Sequence, residues 1–184
     1  MNVLTKEDSY RCLKQKVVLL KYIKPYLYIG DSVLKVKVGD KAPDFSLLSQ
    51  TGESFTLSKL IGKKNIVLYF YPKDESKGCT RQACEFRDKY EVFTDLGAEV
   101  IGVSSDDVNS HKSFSENHLL PFTLLSDNEN KIRELYGVKS TFGIIPGRVT
   151  YVIDKIGIIR SVFSSQFNFK KHIDESLETL KGLN

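Results

Sequence analysis

From about Val36 onward, the apolar positions fall into runs whose period alternates between that of strands and that of helices. Phe45–Leu48 reads as a short strand followed by a turn at Thr51-Gly52. Asn65 to Tyr71 is almost continuously apolar, the pattern of a central strand covered on both faces. Cys79 to Phe93 places Ala83, Phe86, Tyr90 and Phe93 three and four apart, which predicts a helix ended by Gly97. Glu99–Ser104 is the next strand, and Val108–His118 a helix that must stop before Pro121. Phe122–Leu125 predicts a strand and Asn130–Tyr136 a helix closed by Gly137. Val149–Ile153 and Ile158–Phe163 flank the turn at Asp154–Gly157 as a hairpin. Lys170–Leu180 closes the chain with Ile173, Leu177 and Leu180 on one helical face. Strands alternating with helices, plus a late hairpin, predict an α/β fold with a mixed central sheet and helices on both faces. In such folds reactive groups gather beyond the carboxyl ends of strands, and the loop after Tyr71 lies at one.

Length and composition narrow this picture. The 184 residues fit one domain, 36–184, with an N-terminal extension over 1–35. Residues 1–24 carry six basic and two acidic residues. They read as a loosely ordered extension or as a targeting presequence, and Glu7 and Asp8 argue against the second. The net charge of +4 comes from cations scattered among 23 acidic residues rather than from a basic stripe, which disfavours nucleic acid. No apolar run approaches the roughly 20 residues of a membrane span. Three cysteines are too few and odd in number for a disulfide-stapled secreted domain. The reading is an intracellular protein of a reducing compartment, the cytoplasm first, with plastid or nucleus reached through the extension.

The candidate chemistry lies where the central strand ends. A polar loop, Pro72 to Gly78, leads to Cys79 at the expected start of a helix, with Cys84 five residues further on. A thiol at a helix N-terminus meets unpaired backbone N–H groups and the positive end of the macrodipole, and both favour thiolate over thiol. Each residue also has a plain structural reading. A single buried cysteine is more often a small hydrophobe. Arg148 could be a solvated charge at a strand end, Ser76 a loop hydroxyl and Pro72 a strand stop. Arg81, Arg87 and Arg133 compete with Arg148 as cationic partner, with Arg87 the most credible supporting group. A Cys-x-x-Cys reductase is disfavoured because four residues separate the cysteines. A zinc site is disfavoured because His111, His118 and His172 are not grouped with them, and His111 and His118, seven apart on one helix, are expected to face solvent.

In order along the chain, several segments resemble the peroxiredoxins, and within them the Q type, or bacterioferritin comigratory protein group. Pro72-Lys73-Asp74-Glu75-Ser76-Lys77-Gly78-Cys79 fits the motif Pro-x-x-x-Thr/Ser-x-x-Cys. The continuation Thr80–Asp88 has the second cysteine at the Q-type spacing, and Gly97–Ser104 and Pro146–Asp154 match as well. The likeness runs from about Val36 to Leu183 and leaves out residues 1–35 and Cys12. It implies a thioredoxin-like fold, no cofactor or metal, and reduction of hydroperoxides with electrons from thioredoxin or a similar dithiol. Cys79 would be the peroxidatic cysteine and Cys84 the resolving one, joined transiently as a redox-active disulfide. Arg148, Ser76, Gly78 and Pro72 would bind and shape the peroxide site around Cys79, in a monomer. Ser76 stands where threonine is commoner, a mild departure. A non-enzymatic binding or holdase-like module on the same fold is the alternative.

Spacing adds a constraint to that pairing. On an intact helix, residues five apart are separated by about 7.5 Å of rise and about 140° of rotation, so their Cα atoms lie about 8.7 Å apart. A disulfide tolerates roughly 7 Å. Cys79 and Cys84 can pair only if the first turns of their helix unwind.

Overall fold

The computed structural model describes residues 36–140 and 145–183. The expected extension over 1–35, with Cys12, lies outside them. The strands are β1 (Ser46–Ser49), β2 (Ser54–Thr56), β3 (Asn65–Phe70), β4 (Ala98–Ser104), β5 (Thr123–Ser126), β6 (Val149–Ile153) and β7 (Ile159–Ser164). The helices are α1 (Lys77–Asp88), α2 (Tyr90–Asp95), α3 (Val108–His118), α4 (Lys131–Leu135) and α5 (Phe169–Lys181). All seven strands join one sheet in the order β2-β1-β5-β4-β3-β6-β7. β3 runs parallel to β4 and antiparallel to β6, so the sheet is mixed, as the alternation and the late hairpin predict.

β3 explains the two-layer core. All six of its residues are buried. Because side chains alternate along a strand, Val67, Tyr69 and Tyr71 enter one apolar cluster with Cys79, Phe86 and Phe114. Ile66, Leu68 and Phe70 enter the other with Phe45, Tyr136 and Tyr151. The unbroken apolar run from Ile66 on is what a strand covered on both faces shows.

Three expectations shift. β2, only three residues long, shows no period in sequence and was not foreseen. The helix expected from Cys79 begins two residues earlier, at Lys77. The single helix expected as far as Phe93 is two, because the first ends at Lys89 in a tightened turn whose N–H reaches back to the Phe86 carbonyl at 3.2 Å.

The topology also places the site. Phe70 at the end of β3 pairs with Val149 at the start of β6. The loop leaving β3 therefore lies beside Arg148, although some seventy residues separate them in sequence. Arg133 of α4 fixes this junction, donating to the Tyr71 carbonyl at 2.6 Å and to the Gly147 carbonyl at 2.8 Å. Its own backbone N–H donates to the Asp127 carboxylate at 2.8 Å.

Candidate active site

Helix α1 is amphipathic in the simplest way: Cys79, Gln82, Ala83 and Phe86 are its buried residues, at i, i+3, i+4 and i+7. Ala, Gln, Arg and Glu are good helix formers, and Arg81 pairs with Glu85 one turn on at 3.0 Å. Cys79 thus faces the core at the N-terminal end, 2% exposed.

Ser76 occupies the N-cap with an extended backbone, but its hydroxyl makes no cap bond to the helix. It donates instead to the Lys73 carbonyl at 3.1 Å. The first helical bond runs from the Thr80 N–H to the Ser76 carbonyl. The amides of Gly78 and Cys79, in the first turn, therefore have no partner within the helix. An N-cap serine would normally take the amide of the third helical residue, here Cys79. Turned away, it leaves that donor open to another acceptor.

Arg148 crosses from the start of β6 and is 4% exposed. Its Nη2 donates to the Cys79 Sγ at 3.2 Å, and its Nε donates to the Gln166 carbonyl at 3.3 Å. Its Nη1 donates to the Gln82 side-chain oxygen. The Phe169 ring covers the guanidinium, with its centroid 4.8 Å from Cζ. A permanent cation thus lies against the sulfur, held on several sides in low-dielectric surroundings where its effect is large. Arg133 adds a second buried cation. Burial pushes it down from the ordinary guanidinium range, while Asp127 and then Cys79 pull it back up.

Outside this contact lies an open cavity of about 510 Å³, lined in part by Pro72, Ser76, Gly78, Arg148 and Phe169. Lys73, Lys77 and Arg81 also border it, and among the described residues no carboxylate does. The residues expected at the site thus come together, Cys84 excepted. Cys84 lies further along α1, half-buried, and both it and Cys79 are free thiols. α1 is continuous between them.

Some sequence readings fail. His111, expected to face solvent, is completely buried and bonded to Asp74 and to the Leu125 carbonyl. One face of α3 lies against the active-site loop, which a lone helical periodicity cannot show. Arg87, favoured as the supporting cation, instead donates to Asp88 and to the His118 carbonyl. Arg133 takes the buried place, bonded to both segments where the end of β3 meets the start of β6. Gln82 and Phe169 were missed altogether. The i+3 spacing of Gln82 from Cys79 was the available signal for the first. Among the described residues, no helix is long and apolar enough to cross a membrane.

The family model described as AhpC/TSA family matches residues 38–162. The chain belongs to that family. Within it, the chain is a peroxiredoxin of the Q type. It is 52% identical over 160 residues to the chloroplastic peroxiredoxin Q of Suaeda salsa, across 86% of this chain and 74% of that protein. It is 53% identical over 150 residues to its counterpart in Populus jackii, across 81% and 70%. The crystal structure of the peroxidoxin BcpB from Mycobacterium tuberculosis superposes with a TM-score of 0.75 at 36% identity, covering 81% of this chain and 99% of that one. A mutant PrxQ of Xylella fastidiosa superposes at 0.74 with 29% identity, covering 84% and 99%. The fold is that of the thioredoxin-like peroxiredoxins.

Proposed function

We propose that this peroxiredoxin reduces hydrogen peroxide and organic hydroperoxides through Cys79, with Cys84 as the resolving thiol and a thioredoxin-type dithiol as reductant. The observation that carries the assignment is the buried 3.2 Å contact between Arg148 Nη2 and Cys79 Sγ at the first turn of α1. In the first step the Cys79 thiolate attacks one peroxide oxygen, an S–O bond forms and the O–O bond breaks. The departing oxygen leaves as hydroxide or alkoxide and takes up a proton as water or alcohol. Charge moves from sulfur to the leaving oxygen, so donors that serve both atoms favour the transition state. Arg148 and the open amides of Gly78 and Cys79 are placed for this, with Pro72 and Ser76 shaping the mouth. Ser76, whose hydroxyl donates its proton to the Lys73 carbonyl, offers the peroxide an acceptor.

In the second step the Cys84 sulfur displaces hydroxide from the Cys79 sulfenic acid, releasing water and forming the disulfide. At about 8.7 Å between Cα atoms on an intact helix this cannot happen, so α1 must open from its N-terminal end. An external dithiol then exchanges with the exposed disulfide and restores both thiols. Both thiols belong to one helix, which supports action as a monomer. The chloroplastic label of the plant relatives supports a plastid location over the cytoplasm, with the address in residues 1–35.

The test is NADPH oxidation in the presence of thioredoxin, thioredoxin reductase and peroxide. The expected result is steady turnover that Cys79→Ser abolishes. Absence of turnover with unaltered partner capture in that variant would instead support a binding or holdase-like module. Imaging of tagged full-length and truncated chains checks the plastid address.

A further inference from the structure

A polar cluster is buried beneath the active-site loop, and the peroxide chemistry above does not use it. Asp74, 4% exposed, extends from the loop toward α3. Its carboxylate accepts from the Tyr71 hydroxyl at 2.7 Å and the Ser110 hydroxyl at 2.8 Å. Its Oδ2 also lies 2.8 Å from the Nδ1 of the fully buried His111. The other nitrogen of that ring, Nε2, lies 3.1 Å from the Leu125 carbonyl, which can only accept. Both ring nitrogens thus face acceptors, and a neutral imidazole carries one N–H only. The backbone N–H of Asp74 donates to Asp106 at 2.9 Å, so main chain and side chain are both tied to the β4–α3 region.

The next residue repeats the pattern at the surface. Glu75 has a left-handed backbone, φ 54°, which a residue with a Cβ adopts only when its surroundings hold it there. Its carboxylate accepts from Asn117 at 3.0 Å and meets His118 Nε2 at 2.9 Å. Two successive loop residues are therefore strapped to one face of α3, one of them through a buried pair.

We propose that Asp74 and His111 form a proton-holding ion pair whose role is to position the loop that presents Cys79. His111 carries a proton on both nitrogens and donates through Nδ1 to the Asp74 carboxylate. That pair, reinforced by Glu75 on α3, fixes where α1 begins and so holds the Cys79 sulfur against Arg148. His111 touches neither sulfur nor peroxide; it acts through Asp74. The proposal rests on the peroxidase reading for its kinetic consequence, not for its chemistry.

Two substitutions separate positioning from mere filling. Asparagine at 111 can put an amide donor near the place of Nδ1, keeping the bond to Asp74. Glutamine reaches instead toward the place of Nε2, keeping the bond to Leu125 and losing the one to Asp74. Single-turnover sulfenic acid formation and the thiolate fraction of Cys79 at neutral pH are measured in His111→Asn, His111→Gln and Asp74→Asn. The expected result is a loss of roughly tenfold or more in rate, with a smaller thiolate fraction, in His111→Gln and Asp74→Asn, and recovery to within roughly threefold in His111→Asn. Equal rates and thiolate fractions in all three folded variants overturn the proposal. If the variants do not fold, nitrogen-15 spectroscopy of the wild-type His111 ring decides. Protons on both nitrogens support the pair, and a single N–H, on either nitrogen, overturns it. That spectrum and the thiolate measurement need no turnover, so a chain that fails to consume peroxide would sink the peroxidase reading and leave this test intact.

Discussion

The five residues before α1 and the first two turns of α1 adjoin each other but are held in opposite ways. The loop Pro72–Ser76 is anchored outward, through Asp74 and Glu75, to α3. The first turns of α1 are anchored chiefly by Arg148, which binds Cys79 and Gln82, and by packing of the buried stripe. The hydroxyl of its cap serine contributes no bond to the helix. The contrast suits a cycle in which one part must stay and the other must open. In the proposed cycle, disulfide formation draws Cys79 away from the Arg148 contact that holds the helix, while the loop's anchorage through Asp74 and Glu75 does not involve the sulfur.

The sharpest way to break this comparison is to remove the reason for opening. In Cys84→Ser, a first equivalent of peroxide should still yield one sulfenic acid per chain, while turnover with thioredoxin falls to background. Amide exchange over residues 79–86 should then stay slow after oxidation, whereas in the wild type it should rise. Equal exchange in oxidised and reduced wild type would mean that α1 does not open. Next in size is Arg148→Met, which removes the cation and leaves the volume. The rate of sulfenic acid formation should fall roughly 10²–10³-fold, the scale for losing one preorganised donor. Stopped-flow kinetics with hydrogen peroxide measure it.

How much of this was legible in the chain follows from which contacts are local. Ile66–Tyr71 is apolar at every position, so the covered central strand could be read directly, and the Cys79 motif followed it in sequence. Cys84 stands at a fixed helical offset from Cys79, so the distance that bars their pairing on an intact helix was also readable; Gln82, at i+3, was within reach of the same reasoning. Arg133, Phe169 and His111 were not, because each reaches the site from an element whose placement depends on sheet order. That β6 lies antiparallel beside β3 brings Arg148 and Phe169 to the sulfur. That β5 lies on the far side of β4 from β3 brings α3 under the loop. No spacing within one segment encodes such order.

Two buried histidines extend the comparison to the flanking helices. His111, on the loop side, faces a carboxylate. His172, on α5, lies 2.8 Å from the Thr150 hydroxyl through Nδ1 and 2.9 Å from the Ser165 carbonyl through Nε2. One N–H satisfies that ring, and burial pushes its pKa down to about 4. The ordinary value is about 6.5. The unfolded chain therefore binds this proton more readily than the folded one. The stability from keeping His172 neutral is complete above pH 6.5 and is lost as pH falls toward 4, by about 3 kcal/mol in all. Chemical denaturation at pH 7 and pH 4.5 should show this loss, and His172→Gln should flatten it. In hydrogen exchange, the acid effect should appear in α5 and α1 before it appears in the loop.

The smallest predicted effect isolates the contact between α5 and the site. A Cβ at Gly78 would lie 2.8 Å from Phe169 Cζ and 3.2 Å from Cε1, so the ring must move. That ring is the face on which the Arg148 guanidinium rests. Alanine is also the better helix former by about 1 kcal/mol. Gly78→Ala should therefore leave stability unchanged or slightly raised while slowing sulfenic acid formation about tenfold, on the scale of a stacked cation displaced by a fraction of an ångström. Melting curves and single-turnover rates on the same preparation separate the two. In a Phe169→Leu background the same substitution should cost little, because the clash is gone and the two changes act through one contact. Additive losses in the double variant would show that Phe169 does not hold Arg148, leaving Gln82 and the Gln166 carbonyl as the groups that aim it.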